Sequence, residues 1–250
     1  MKLKNKVAIV TGGARDIGRA VSVKLAKEGA KVVVNYFEQE QQGIDTLNLI
    51  KEAGGEGIMV QGDMTKSADV ARLVAEAQKA FGSEIHVLVN VAGGLVGRKT
   101  VTEMEEEFWD LVIDLNLKSV FLVTKAVVPH MPAGSAIVNF SSVAGRDGGG
   151  PGASAYAVAK GGVMTYTRSM AKELGPKGIR VNAVAPGMIA TAFHDTFTKP
   201  EVRTNVANAT PLRREGNAPE VADLVAYLAS DESSFVSGTN IDINGGLAFY

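Results

Sequence analysis

Apolar residues in this 250-residue chain cluster in short unbroken runs, and between the runs they recur at helical spacing. Val7–Val10 is such a run, and Lys31–Val34, Gly57–Gln61, His86–Val89, Ala136–Phe140, Ile179–Ala183 and Asn240–Ile243 read as further strands, the last two interrupted by polar residues. A strand with one wet face alternates apolar and polar residues, whereas unbroken runs are expected of parallel strands covered on both sides. Helical patterns fill the gaps. They cover Ala20, Val21, Val23 and Leu25 up to Gly29, then about 38–53, then 67–81. Two helices lie within 102–131 and join near Asn116, one carries Tyr156 and Lys160 to Leu174, and one lies at about 219–229. Strands spaced by helices throughout predict one α/β domain over residues 1–250. It is a doubly wound parallel sheet of about seven strands, with right-handed crossovers and helices on both faces. No linker, low-complexity stretch or repeat beyond the βα alternation interrupts it.

Composition narrows the function more than the fold. Hydrophobic residues make up 46% of the chain and charged residues 21%, with a net charge of -1. That balance is ordinary for a globular protein and gives no reason to expect nucleic acid or an anionic membrane as partner. The absence of cysteine excludes disulfides and thiolate chemistry and fits a reducing compartment. The N-terminus, Met1 to Val7, enters a strand pattern with no apolar signal region. No apolar run approaches the ~20 residues needed to span a bilayer. The expectation is a cytoplasmic protein acting on a small molecule, with no metal site assigned.

Two stretches carry candidate chemistry. Thr11-Gly-Gly-Ala-Arg-Asp-Ile-Gly18 links a strand to a helix. Its glycines let backbone approach a pyrophosphate, and the helix N-terminus offers N–H groups and a favourable dipole to the anion. Tyr156 and Lys160 stand at i and i+4, one turn apart on one helix face. A phenol has an unperturbed pKa of about 10, and a neighbouring ammonium favours its ionised form, which makes Tyr156 a usable proton donor and acceptor. Ser142, just beyond a strand end, can hydrogen-bond a carbonyl held beside that phenol.

Thr11-Gly12…Gly18, Asp63, Asn90-Val-Ala-Gly93, Asn116, Ser142, Tyr156-x-x-x-Lys160 and Pro186-Gly187…Thr191 stand in a recognisable order. Over essentially the whole chain the sequence resembles the short-chain dehydrogenase/reductase family, which implies a Rossmann-type fold and an NAD(P)-dependent oxidoreductase acting on carbonyl and alcohol groups. By that resemblance Tyr156 is the general acid/base, and Lys160 lowers its pKa and holds the nicotinamide ribose. Ser142 polarises the carbonyl, and Asn116 orders a water that relays the proton. Gly12, Arg15, Asp16, Ile17 and Gly18 form the phosphate turn, and Asp63 contacts the adenine with Met64 beside it. Asn90, Ala92 and Gly93 line the middle of the cofactor, and Pro186, Gly187 and Thr191 shape the nicotinamide pocket. These positions all follow strands, at the sheet edge where open α/β proteins bind ligands. Relatives are usually tetramers, and the apolar Leu247–Tyr250 is consistent with a tail buried between subunits. A nucleotide-binding protein without catalysis is the reading from another class, and the complete set Asn116, Ser142, Tyr156 and Lys160 argues against it.

The chain departs from the family pattern in two places. Asp16 replaces the middle glycine of the turn; it either caps the following helix or acts on the cofactor, by repelling a phosphate or bonding a ribose hydroxyl. Val91 stands where a second asparagine is frequent. At the end of the second strand Asn35, followed by Tyr36 and Phe37, takes the place of the acidic residue usual in NAD-specific members. With Arg15 as a cation for a 2′-phosphate, NADPH is favoured and NADH remains open, since Asp16 and Glu38 oppose it. For the substrate, the segments around Arg98, Arg146 and His194 resemble reductases of alginate breakdown, which reduce 4-deoxy-L-erythro-5-hexoseulose uronate to 2-keto-3-deoxygluconate. Arg146, Arg98 and His194 are the candidate partners of its carboxylate. The alternative is a 3-oxoacyl-carrier-protein reductase, whose two carrier-docking basic positions here hold Pro129 and Lys172.

Overall fold

The computed structural model describes all 250 residues, Met1–Tyr250. In chain order the elements are β1 (Val7–Thr11), α1 (Asp16–Lys27), β2 (Lys31–Tyr36), α2 (Glu40–Glu52), β3 (Glu56–Gln61) and α3 (Ser67–Phe81). β4 (Val87–Asn90), α4 (Glu106–Ile113), a π-helical turn (Asp114–Lys118), α5 (Ser119–Val127) and β5 (Ala136–Phe140) follow. Then come α6 (Ala144–Asp147), α7 (Ser154–Leu174), β6 (Arg180–Pro186), β7 (Ile189–Ala190), α8 (Ala192–Phe197) and α9 (Pro200–Ala209). β8 (Gly216–Asn217), α10 (Ala218–Ala229) and β9 (Asn240–Ile243) complete the chain.

Seven strands form one sheet in the order β3-β2-β1-β4-β5-β6-β9, every pair parallel. Strand side chains alternate between faces, so each run supplies two cores. Ala8, Val10, Val32, Val34 and Val89 pack under α1 and α10. Ile9, Val33, Leu88 and Ile137 pack on the other face with Leu73 of α3, Val123 of α5 and Leu174 of α7. The order in which strands are added reverses between β1 and β4, and the connections leaving their carboxyl ends run to opposite faces there, which leaves a crevice. No helix is long and apolar enough to cross a membrane.

The region expected to hold two long helices starts later than the pattern suggested. Thr102 to Glu105 precede α4, a π turn separates α4 from α5, and Pro129 sits in a 3-10 turn that follows α5. Between β6 and α10 the chain leaves the sheet, to which it returns only as β9. β7 and β8 form a two-residue parallel ribbon, Ile189 against Gly216 and Ala190 against Asn217, which clips the neck of a lobe carrying α8 and α9. Arg203 of α9 reinforces the clip with a bidentate pair to Glu215, at 2.6 and 2.7 Å, and a further bond to Asp195.

Candidate active site

α7 begins just after the glycine-rich loop 148–152 and presents Tyr156 and Lys160 on one face, as their spacing requires. Lys160 is buried, with Nζ donating to the Phe140 carbonyl at the end of β5 at 2.8 Å and lying 5.7 Å from the centre of the Tyr156 ring. Ser142, two residues beyond β5, stands beside the Tyr156 hydroxyl and favours its ionised form, and its Oγ accepts from the Ala144 N–H at 3.1 Å. Close backbone approaches hold this geometry. A Cβ on Gly145 of α6 would lie 2.7 Å from the Gly161 nitrogen and the Lys160 carbonyl carbon, and one on Gly93 would lie 2.7 Å from Asn116 Oδ1.

Burial, opposed by Ser142, pushes the Tyr156 phenol above its ordinary value. Burial also pulls the Lys160 ammonium down to about 8. The lowering of Tyr156 expected from Lys160 has no part in this shift, which burial and Ser142 set between them. Lys160 spends a proton on Phe140, stands over the ring, and has a charge that is itself weakened by desolvation.

Asn116 falls inside the π turn. Its amide donates to the carbonyls of Gly94 and Val112, at 2.8 and 2.9 Å, and its Oδ1 accepts from the Gly94 N–H at 2.9 Å. The side chain is thus committed to holding the loop after β4.

A cleft of about 550 Å³, within the usual range for small-molecule sites, joins this group to the turn after β1. Gly12, Arg15, Asp16, Ile17, Gly18, Asp63, Met64, Ala92, Gly93, Pro186, Gly187 and Thr191 all line it, as the sequence suggested. The turn has room only for glycine at its crossing: a Cβ on Gly18 would lie 2.0 Å from the Gly12 carbonyl oxygen. Gly12, at φ +60, passes within 3.1 Å of the Ala92 backbone by the same test. Such a cradle fits a dinucleotide pyrophosphate.

Four assignments change. Asn35 borders the cleft but is buried and fully engaged: its Oδ1 accepts from Gly12 N–H, and its Nδ2 donates to the carbonyls of Tyr36, Val60 and Gly62. It staples the turn to β2 and β3, and the ribose side of the cleft passes to Tyr36, Phe37 and Glu38. Asn90 lies below the cleft, where its Nδ2 bonds Asn139 and Thr124. Asp16 does not cap α1; its carboxylate accepts from the Ala192 N–H at the start of α8. Arg146 is also removed from the substrate. Its Nε pairs with Asp242 at 2.9 Å, its Nη2 bonds the Asn240 carbonyl at 2.8 Å, and the Tyr250 ring covers its guanidinium.

Arg98 and His194 do line the cleft. Arg98 donates one N–H to the Pro151 carbonyl of the loop after Ser142. The segment that delivers it is tightly wound, with Val96 at φ +64 and Gly97 N–H bonded to the Leu95 carbonyl at 2.7 Å. Burial, then the charge of Arg203, pulls the His194 imidazole below its ordinary value, and its Nδ1 is 2.9 Å from Thr198 Oγ1. Sequence reasoning missed Phe193, whose ring centre lies 6.4 Å from that of Tyr156. It stands in a short segment without strand or helix periodicity, and only the fold of the lobe brings it to the cleft.

Comparison with known proteins places these features in context. Residues 12–248 match the family model described as enoyl-(acyl carrier protein) reductase. The chain is similar to the 3-oxoacyl-[acyl-carrier-protein] reductase FabG of Staphylococcus epidermidis, 38% identical over 245 residues, covering 97% of this chain and 99% of that one. Its structure is similar to that of a short-chain dehydrogenase/reductase from Serratia marcescens, with TM-score 0.94, 30% identity and full coverage of both chains (100% each). It is also similar to the NADH-dependent reductase A1-R′ responsible for alginate metabolism, with TM-score 0.91, 35% identity and 99% of each chain covered.

Proposed function

The chain belongs to the short-chain dehydrogenase/reductase family, and on that premise we propose that it reduces a small, polar, anionic carbonyl compound. The preferred substrate is 4-deoxy-L-erythro-5-hexoseulose uronate, whose aldehyde becomes the alcohol of 2-keto-3-deoxygluconate. The observation that carries this reading is Arg98, a guanidinium on the wall of the same cleft as Ser142 and Tyr156. One of its N–H groups is engaged by Pro151, and the others can fork onto a carboxylate. His194, held toward its neutral form, serves as a hydrogen-bond partner and not as a second charge. The likeness to A1-R′, responsible for alginate metabolism, supports the same class.

The cleft would hold a reduced nicotinamide dinucleotide, which when bound would supply the hydride. The residues do the rest. The turn Gly12–Gly18 holds the pyrophosphate, and Lys160 holds the ribose. Ser142 donates a hydrogen bond to the carbonyl oxygen, and Tyr156 gives that oxygen its proton as negative charge develops there. The Lys160 ammonium favours the phenolate left behind. NADPH is the preferred cofactor, because Arg15 lines the cleft and no carboxylate stands at positions 35–37. The protein works in the cytoplasm as a homotetramer in this reading.

The 38% identity to FabG favours a second reading, reduction of 3-oxoacyl thioesters. Against it, Pro129 sits in a 3-10 turn where a docking cation is expected, leaving Lys172 on α7 without its partner. The test is the ratio of kcat/KM for the uronate and for a 3-oxoacyl thioester, each measured with NADPH and NADH. A ratio favouring the thioester overturns the uronate reading. Arg98→Ala should raise KM for the uronate by about 10- to 150-fold, the range for a charge-assisted bond, and leave an uncharged aldehyde of similar size nearly unaffected.

A further inference from the structure

One carboxylate joins the phosphate turn to the lobe that covers the cleft. Asp16 sits at φ +49, a region that favours glycine and that Asp tolerates better than most residues. Its Oδ1 accepts from the Ala192 N–H at 3.1 Å across 176 positions of sequence, while its Oδ2 lies 3.7 Å from Arg15 Nη1. Ala192 opens α8, and the preceding Thr191 gives its hydroxyl to the Ile189 carbonyl instead of capping the helix. Asp16 thus supplies from another element the acceptor that the helix start lacks locally. α8 in turn carries Phe193, which packs on His194 and Phe197 and faces the Tyr156 ring. The bond falls two residues beyond the β7–β8 clip, so Asp16 holds the lobe at the same neck that the clip and the Arg203–Glu215 pair close.

We infer that Asp16 is a latch: it fastens the lobe, as a lid, to the turn that holds the pyrophosphate. Because the latch and the cradle share one loop, the lid and the cofactor are coupled. The cofactor cannot leave the turn freely while α8 is fastened across it, and Phe193 is seated over Tyr156 only when the latch is made. Asp16 is a positioning residue in this scheme. It sets the residence time of the cofactor and the closure of the substrate pocket without touching the reacting atoms.

The test uses the full-length protein and two variants. Asp16→Gly suits the backbone conformation and removes the acceptor; Asp16→Asn keeps an acceptor oxygen and removes the charge. Amide hydrogen exchange is measured over residues 192–197 in the free protein, and NADPH dissociation by stopped-flow fluorescence. Asp16→Gly should raise both rates by about tenfold or more, as loss of a hydrogen bond to a charged group predicts, and Asp16→Asn should restore most of both. Unchanged exchange over 192–197 in Asp16→Gly overturns the latch. So does an Asn variant that behaves like the Gly variant and shifts the NADH-to-NADPH preference, since the carboxylate would then act on the cofactor by its charge. The exchange measurement is independent of which carbonyl compound is reduced.

Discussion

A lysine as deeply buried as Lys160 makes folding depend on pH in a direction opposite to that of a surface ion pair. Its pKa falls from 10.5 to about 8 on folding, so between those values the unfolded chain binds a proton that the folded protein does not. Stability therefore rises with pH across that window, and the penalty is in full force below it. Above about 10 the raised phenol of Tyr156 acts the other way, because only the unfolded chain then loses that proton. Urea unfolding at about pH 7 and about pH 10 should show a gain of the order of 2–3 kcal/mol, absent in Lys160→Met. A wild-type profile as flat as that of the variant would show that Lys160 stays charged in the fold. For catalysis, Tyr156→Phe should lower turnover by roughly 10²- to 10⁴-fold, the usual worth of a general acid, with the cofactor Kd nearly unchanged. Retention of more than a few per cent of turnover would assign the proton to another group. That Tyr156, Lys160 and Ser142 meet at one cleft was legible because two of them share a helix face and the third follows a strand end. Asn35, Asn90 and Arg146 were misread for one physical reason. Their side chains are committed to partners distant in sequence, such as Asp242, which lies 96 positions from Arg146, and no local pattern encodes such a commitment.

Among the elements, α6 and α7 are set by a contact with no side chain in it. At Gly145 the backbone of α6 rests on the backbone of α7 beside Lys160, and α6 begins two residues after Ser142. The spacing of Ser142 from Tyr156 is therefore a backbone distance. Gly145→Ala should separate the two helices, lowering stability by about 1–3 kcal/mol, as overpacking does, and reducing kcat more than it raises the cofactor Kd. Thermal melting with steady-state kinetics checks this, and an Ala variant with wild-type kcat would remove Gly145 from the positioning of Ser142. Strands and long helices were readable from the sequence because two-sided burial and amphipathic helices leave strong periodic signals. The pieces that were not readable are short or polar. β7 and β8 have two residues each, and α8 and α9 bury no residue completely. The π turn differs from an ordinary helix only in which carbonyl each N–H selects.

Taken whole, the molecule leaves apolar side chains facing outward at several places, among them Trp109, Leu111, Phe121 and Val158. Phe249 is 85% exposed at a tail whose last residue, Tyr250, lies on Arg146. If that tail seals a subunit contact of the proposed tetramer, removing residues 247–250 should give a species smaller than the full-length protein in sedimentation velocity. A truncated chain that sediments as the full-length protein does would place the contact elsewhere. The clipped lobe from Thr191 to Glu215 has a different standing from the sheet. Its two ends leave the scaffold side by side, so the cost of closing the loop is met by the ribbon at its neck and not by what lies beyond. It gives no strand to the seven-stranded sheet, yet it supplies Phe193 and His194 to the cleft. Descent can therefore rewrite these residues with little risk to the fold, and lineages that share Asn116, Ser142, Tyr156 and Lys160 can come to feed on different compounds in part through the lobe.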